Sequence, residues 1–232
     1  MRSFQTIFEQ AAAFRGGGDA LETLLSQSVP KSPAELTKIP DDRWLATMTK
    51  CVFQAGFSWK VIESKWPGFE EAFEGFNVPR WAMAPDEDLD RLTSDTRIVR
   101  NGQKIRTVRE NAIFLNELAR EHGSAAKVFA EWPSDDFIGL LDLLKKRGSR
   151  LGGATAQYFL RFIGRDSYIL SRDVTAALIR DGVIEKEPTS KGAQKKVQEA
   201  FNNWMVESGR PLTQISRVLA MSVGPSSGPA PH

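Results

Sequence analysis

The sequence predicts an all-α fold, and three observations carry that prediction. Apolar residues recur at helical spacing in one stretch after another, strand-like alternation is absent, and glycine or proline punctuates the breaks. The 232 residues are enough for one large domain or two small lobes with a substantial core.

Residues 1–40 read as an N-terminal helical arm. Phe4, Ile7, Phe8, Ala11 and Ala12 share one face, Gly16-Gly17-Gly18 interrupts it, and Asp19 to Leu25 forms a second piece before Pro30, Pro33 and Pro40. From Asp41 the pattern becomes regular, and residues 41–222 read as one body. Trp44, Leu45, Met48, Cys51 and Val52 mark a helix that Asp41 or Asp42 is placed to cap. Gly56 breaks it, a second helix runs to Lys65, and Pro67 is expected at the first position of a third, with Phe69, Ala72, Phe73 and Phe76. Asp86 to Thr93 is a short helix, Ile98 to Asn101 a turn, and Ile105, Val108, Ala112, Leu115 and Ala119 mark a long amphipathic helix. Beyond Asp173, Val174 to Arg180 is helical; Val197, Ala200, Phe201 and Trp204 form a further stripe, and Ile215, Val218 and Leu219 a last one. The tail, 223–232, has the composition of a disordered segment.

Between Leu143 and Arg165 lie six basic residues, Lys145, Lys146, Arg147, Arg150, Arg161 and Arg165, and no acidic one, although the chain as a whole carries a net charge of only +2. Any polyanion affinity therefore comes from clustering. Gly148 and Gly152-Gly153 separate two apolar helical patterns, so the chain turns sharply at about 147–154 and a helix opens at Ala154 with its N–H groups available to an anion. A DNA phosphate is the preferred anion; a solvated charged corner is the alternative.

The composition narrows the chemistry. A single cysteine, Cys51, excludes an intrachain disulfide and a cysteine-ligated iron–sulfur cluster, and two histidines, His122 and His232, leave too few ligands for a structural zinc site. No apolar run reaches the length of a membrane span and the N-terminus lacks a secretory apolar core, so a cytoplasmic location and no membrane partner are expected.

The order hairpin, amphipathic helix (Ala156, Phe159, Leu160, Ile163), Gly164, short connection and Asp173 resembles the helix-hairpin-helix DNA glycosylase superfamily, with Gly152-Gly153-Ala154-Thr155-Ala156 at the hairpin end. A second resemblance is more specific. Gln54-Ala55-Gly56-Phe57-Ser58-Trp59, then Phe69-Glu70-Glu71-Ala72-Phe73, then Ile98-Val99-Arg100-Asn101-Gly102-Gln103-Lys104-Ile105 with Asn111-Ala112, is similar to DNA-3-methyladenine glycosylase I over about residues 41–118. This chain lacks the family's N-terminal Cys/Trp/Tyr segment and its zinc ligands, and the family's pocket glutamate falls on Cys51.

The resemblance implies a two-lobed helix-hairpin-helix glycosylase fold that excises damaged, alkylated (3-methyladenine-like) bases from double-stranded DNA as a monomer. Asp173 is then the catalytic carboxylate, with an N-cap role for the following helix as its alternative. Trp59 and Cys51 belong to the base pocket, and Gln54 and Phe57 to the turn that enters the duplex, with burial in the core as the other reading of each aromatic and of Cys51. Phosphate contacts fall to Arg147, Gly148, Arg150, Gly152, Gly153 and Thr155, with Lys104 added by its motif. Relatives that also cleave the strand have a lysine just after the hairpin; Gly152 to Gln157 has none, so a monofunctional glycosylase is expected. No metal or organic cofactor is implied beyond a monovalent cation on hairpin carbonyls. A glycosylase for an oxidised or deaminated base, or a non-catalytic binder of distorted DNA, remains open at this stage.

Overall fold

A computed structural model describes residues 1–224; most of the tail expected at 223–232 lies outside the described residues. Among them every regular element is helical: α1 (Phe4–Arg15), α2 (Gly18–Ser26), α3 (Pro33–Leu36), α4 (Asp41–Gln54), α5 (Trp59–Ala72), α6 (Val78–Ala82), α7 (Asp86–Leu92), α8 (Gly102–His122), α9 (Ala125–Glu131), α10 (Phe137–Arg147), α11 (Ala154–Ile163), α12 (Arg172–Arg180), α13 (Lys191–Ser208) and α14 (Leu212–Met221), with single 3-10 turns at Glu74–Phe76 and Ser134–Asp136. No helix among the described residues is long and apolar enough to cross a membrane. The chain divides into two compact units, and both are discontinuous in sequence.

The first unit comprises residues 32–131 and 141–163. At its centre α4 packs on α8 and α11, and α6 lies on α8. Trp44 is fully buried against Phe129 (ring centroids 5.1 Å) and Phe159 (6.0 Å). Its indole N–H, which burial would otherwise strand, donates to the Ile39 carbonyl at 3.1 Å. Trp81 solves the same problem with the Phe73 carbonyl at 2.6 Å.

Two local expectations change here. Pro40 rather than Asp41 or Asp42 occupies the cap of α4, and both aspartates lie in the first turn, where the positive end of the helix dipole favours them. Pro67 does not open a helix; it sits inside a continuous α5. Its missing N–H and ring clash cost about 3 kcal/mol. Against that stands the burial of Phe69 and the stacking of Trp66 on Phe69 and Phe76, at interplanar angles of 16° and 8°. One buried phenylalanine alone contributes about 1.5–3 kcal/mol, enough to hold the helix through the proline.

The second unit comprises residues 1–31, 132–140 and those from Gly164 onward. Here α1 packs on α2 and α14, and α12 on α14. Glu207 on α13 accepts the Phe4 and Gln5 N–H groups at 2.9 and 3.3 Å, so a carboxylate distant in sequence caps α1. Asp166 does the same for α14 through the N–H groups of Leu212 and Thr213. Tyr168 is buried and stacks on Phe201 at 4.4 Å.

Replacing Pro67 by Ala is expected to raise the stability of the protein by about 1–3 kcal/mol in urea unfolding, since the helix already follows the path that alanine prefers.

Candidate DNA-glycosylase site

The turn after α4 begins with an unusual arrangement at the helix end. Carbonyls in the last turn of any helix lack N–H partners and carry the negative end of its dipole. In α4 the Lys104 ammonium, on α8, meets this need: it donates to the Phe53 carbonyl at 3.2 Å and to the Ala55 carbonyl at 2.5 Å. It also lies over the Phe57 ring, 4.5 Å from the centroid. Lys104 is 6% exposed, and burial, with a smaller contribution from nearby Arg150, pulls its pKa below the ordinary lysine value. Two of the three N–H donors of Lys104, a residue expected at a phosphate, are thus engaged by backbone oxygens.

Gly56, at φ +79°, then lets the chain reverse, and the Phe57 N–H closes the turn on the Gln54 carbonyl at 3.2 Å. The two residues expected to enter a duplex separate here. Phe57 is 40% exposed, whereas Gln54 is 4% exposed. The Gln54 amide N–H donates to Glu63 at 3.3 Å and its Oε1 has no partner. Phe57 is therefore the accessible one of the two, and Gln54 is a buried link between α4 and α5. Cys51 is buried as well, and its thiol is pushed up to about 12 by desolvation, so it stays protonated.

Trp59 opens α5 half-buried, with the rings of Tyr158 and Phe162 set nearly perpendicular to it at 5.1 Å and 5.6 Å. Both partners belong to α11 and lie off its core stripe; Phe162 is 46% exposed. Sequence reasoning missed them. The available signal was an aromatic pair spaced i, i+4 outside the apolar face of Ala156, Phe159, Leu160 and Ile163.

The hairpin between α10 and α11 is held from α8. Asn111 accepts the Ser149 N–H at 2.8 Å and donates to the Ser149 carbonyl at 3.2 Å. Glu110 accepts the Ser149 hydroxyl and Gln103 accepts the Arg150 guanidinium at 2.6 Å. Gly148 is required for space, since a Cβ there would stand 2.7 Å from the Leu144 carbonyl and from Leu151 Cδ1. Gly153, at φ +56°, is required for conformation. Arg150, Gly152, Gly153 and Thr155 remain grouped around the hairpin and the first turn of α11. Arg147 is engaged elsewhere: it pairs with Glu121 at 2.6 Å and Glu117 at 3.2 Å and lies against the Phe114 ring, and it holds the Glu121 carboxyl below its usual range. Among the described residues no cluster of three histidine, cysteine or acidic side chains could hold a metal ion.

Asp173 belongs to the second unit. The cap of α12 is Ser171, whose hydroxyl accepts the Val174 N–H at 3.2 Å, so Asp173 is not needed for that role. It stands in the first turn, half-buried, with no hydrogen bond or ion pair to the described residues.

Residues 38–138 match the Methyladenine glycosylase family. The chain has the helix-hairpin-helix DNA glycosylase fold, and that match covers less than half of it. Its structure resembles that of a variant 3-methyladenine DNA glycosylase I in complex with 3-methyladenine, with a TM-score of 0.51 and 21% identity over 70% of this chain and 95% of that one. A Staphylococcus aureus variant of the same enzyme gives a TM-score of 0.50 and 22% identity over 67% and 91%. An 8-oxoguanine glycosylase/lyase from Methanocaldococcus jannaschii, solved with DNA, matches over more of this chain, 93% of it and 95% of its own, at a TM-score of 0.50 and 13% identity. No protein of curated function matches the chain in sequence.

Asn111→Ala leaves the Ser149 amide and carbonyl without their partners. The expected cost is about 1–3 kcal/mol, with faster amide exchange concentrated at residues 148–153.

Proposed function

We propose that this chain is a monofunctional DNA glycosylase that removes alkylated bases of the 3-methyladenine type from duplex DNA by hydrolysis. The observation that carries the reading is the open aromatic corner of Trp59, Tyr158 and Phe162, carried on the same unit as the glycine hairpin, with Trp59 inside the segment that matches the methyladenine glycosylases.

Each step follows from a named group. Arg150 and the backbone around Gly152, Gly153 and Thr155 take the phosphates, since an exposed guanidinium and the N–H groups of an opening helix suit an anion. Phe57, the exposed aromatic at the α4 turn, fills the gap left by the extruded nucleotide. Trp59 holds the base by its π face. An N-alkylated purine carries positive charge, and the face of an indole attracts it by about 0.5–2 kcal/mol more than a neutral base. The buried, protonated Cys51 accepts no strong hydrogen bond from the base, so selection rests on this charge and on ring shape.

Asp173 supplies the negative charge that stabilises the sugar cation as the N-glycosidic bond breaks. The bonding electrons leave with the base, water adds to C1′, and the proton it gives up passes to solvent through the carboxylate. No lysine stands between Gly152 and Gln157 to form a Schiff base, so the product is an intact strand with an abasic site.

Base release from methylated duplex DNA tests this. The wild type is expected to release 3-methyladenine, with strand breaks only after alkali, and Asp173→Asn to lose about 10²-fold or more of the single-turnover rate while binding DNA normally. Release undiminished in Asp173→Asn, or breaks without alkali, would overturn the mechanism.

A further inference from the structure

Lys104 is a basic residue on a protein that handles a polyanion, yet its ammonium faces away from solvent. It joins three features of one turn: the Phe53 carbonyl, the Ala55 carbonyl and the Phe57 ring. Phe57 is a partly exposed aromatic on a short turn whose flanking residue is a glycine at positive φ. A cation 4.5 Å from the ring centroid is within the range where the quadrupole attraction acts, and here it is largely shielded from water. The adjacent residue, Gln103, accepts Arg150 of the hairpin. The first turn of α8 therefore touches the inserting turn with one side chain and the phosphate-binding loop with the next.

We infer that Lys104 is a positioning residue for Phe57: it caps the end of α4 and fixes the aromatic ring in the orientation that enters the duplex, and it contacts no phosphate. The inference rests on the proposed glycosylase function but concerns a separate step, unstacking rather than bond cleavage. Misplacing an inserting group by about 1 Å can cost on the order of 10²-fold in rate, so the geometry of this turn is enough to govern turnover.

Three readouts decide it. Unmodified duplex binding is measured against salt for the wild type, Lys104→Met and Arg150→Ala. Unstacking is followed by the fluorescence of 2-aminopurine placed beside the methylated base, and base release by single turnover, in Lys104→Met, Lys104→Arg, Phe57→Ala and the double variant Lys104→Met/Phe57→Ala. Lys104→Met should keep the wild-type salt slope, whereas Arg150→Ala lowers it by about one. Lys104→Met and Phe57→Ala should each slow unstacking and release by about ten- to a hundredfold, and the double variant should be no slower than the worse single variant. Lys104→Arg, which can still donate to both carbonyls and stack on the ring, should recover most of the rate and shows that the loss is not one of folding.

A salt slope reduced by about one in Lys104→Met, or losses that multiply in the double variant, would overturn the inference. A wild type that unstacks 2-aminopurine but releases no base would instead sink the proposed function, and the unstacking signal in the variants would still decide the role of Lys104.

Discussion

The backbone groups left open at a helix end and in a hairpin must find partners, and in the first unit one helix supplies them. Along α8, Gln103 holds Arg150, Lys104 caps the carbonyls of Phe53 and Ala55, Glu110 takes the Ser149 hydroxyl, and Asn111 takes the Ser149 amide and carbonyl. An unpaired buried backbone group costs about 1–3 kcal/mol, so these side chains are as much a part of the fold as the apolar core beneath them. Two loops that touch DNA in the proposed function are thereby mounted on a single rigid element.

That arrangement separates holding from acting. Lys104 and Arg147, both basic, are engaged within the protein, Lys104 on buried carbonyls and Arg147 on the surface carboxylates of Glu117 and Glu121. Phe57 and Arg150, which those interactions or their neighbours position, remain exposed. Gln54 and Cys51 likewise belong to the interior, whereas Trp59, Tyr158 and Phe162 form an aromatic corner that is partly exposed. In the second unit, Ser171 performs the capping that an aspartate often performs, and the Asp173 carboxylate is left without a partner among the described residues. A charged group freed from structural duty in this way is suited to chemistry.

Much of this was legible in sequence. Helical periodicity and the absence of alternation determined the fold class, because a period of 3.6 residues is a local property of the backbone. The glycines at 56, 148 and 153 marked both turns of the candidate site, since only glycine relieves a positive φ or a close approach cheaply. The motif from Ile98 to Asn111 was recognisable, and so was the absence of a lysine after the hairpin.

What only the tertiary structure decided is which polar and aromatic side chains face inward. A lysine in a basic motif and an arginine in a basic cluster read alike, whether they meet a phosphate, a carbonyl or a carboxylate; their partners lie tens of residues away along the chain. Pro67 could continue a helix because stacked aromatics from Trp66 to Phe76 outweigh its local cost, a balance that no window of sequence contains. Tyr158 and Phe162 became part of the site only when α11 was laid beside the start of α5. Sequence carries the periodicities and the special backbone positions, which are set within a few residues. Burial and pairing are set by packing between distant segments, and the assignment of roles within the site depends on them.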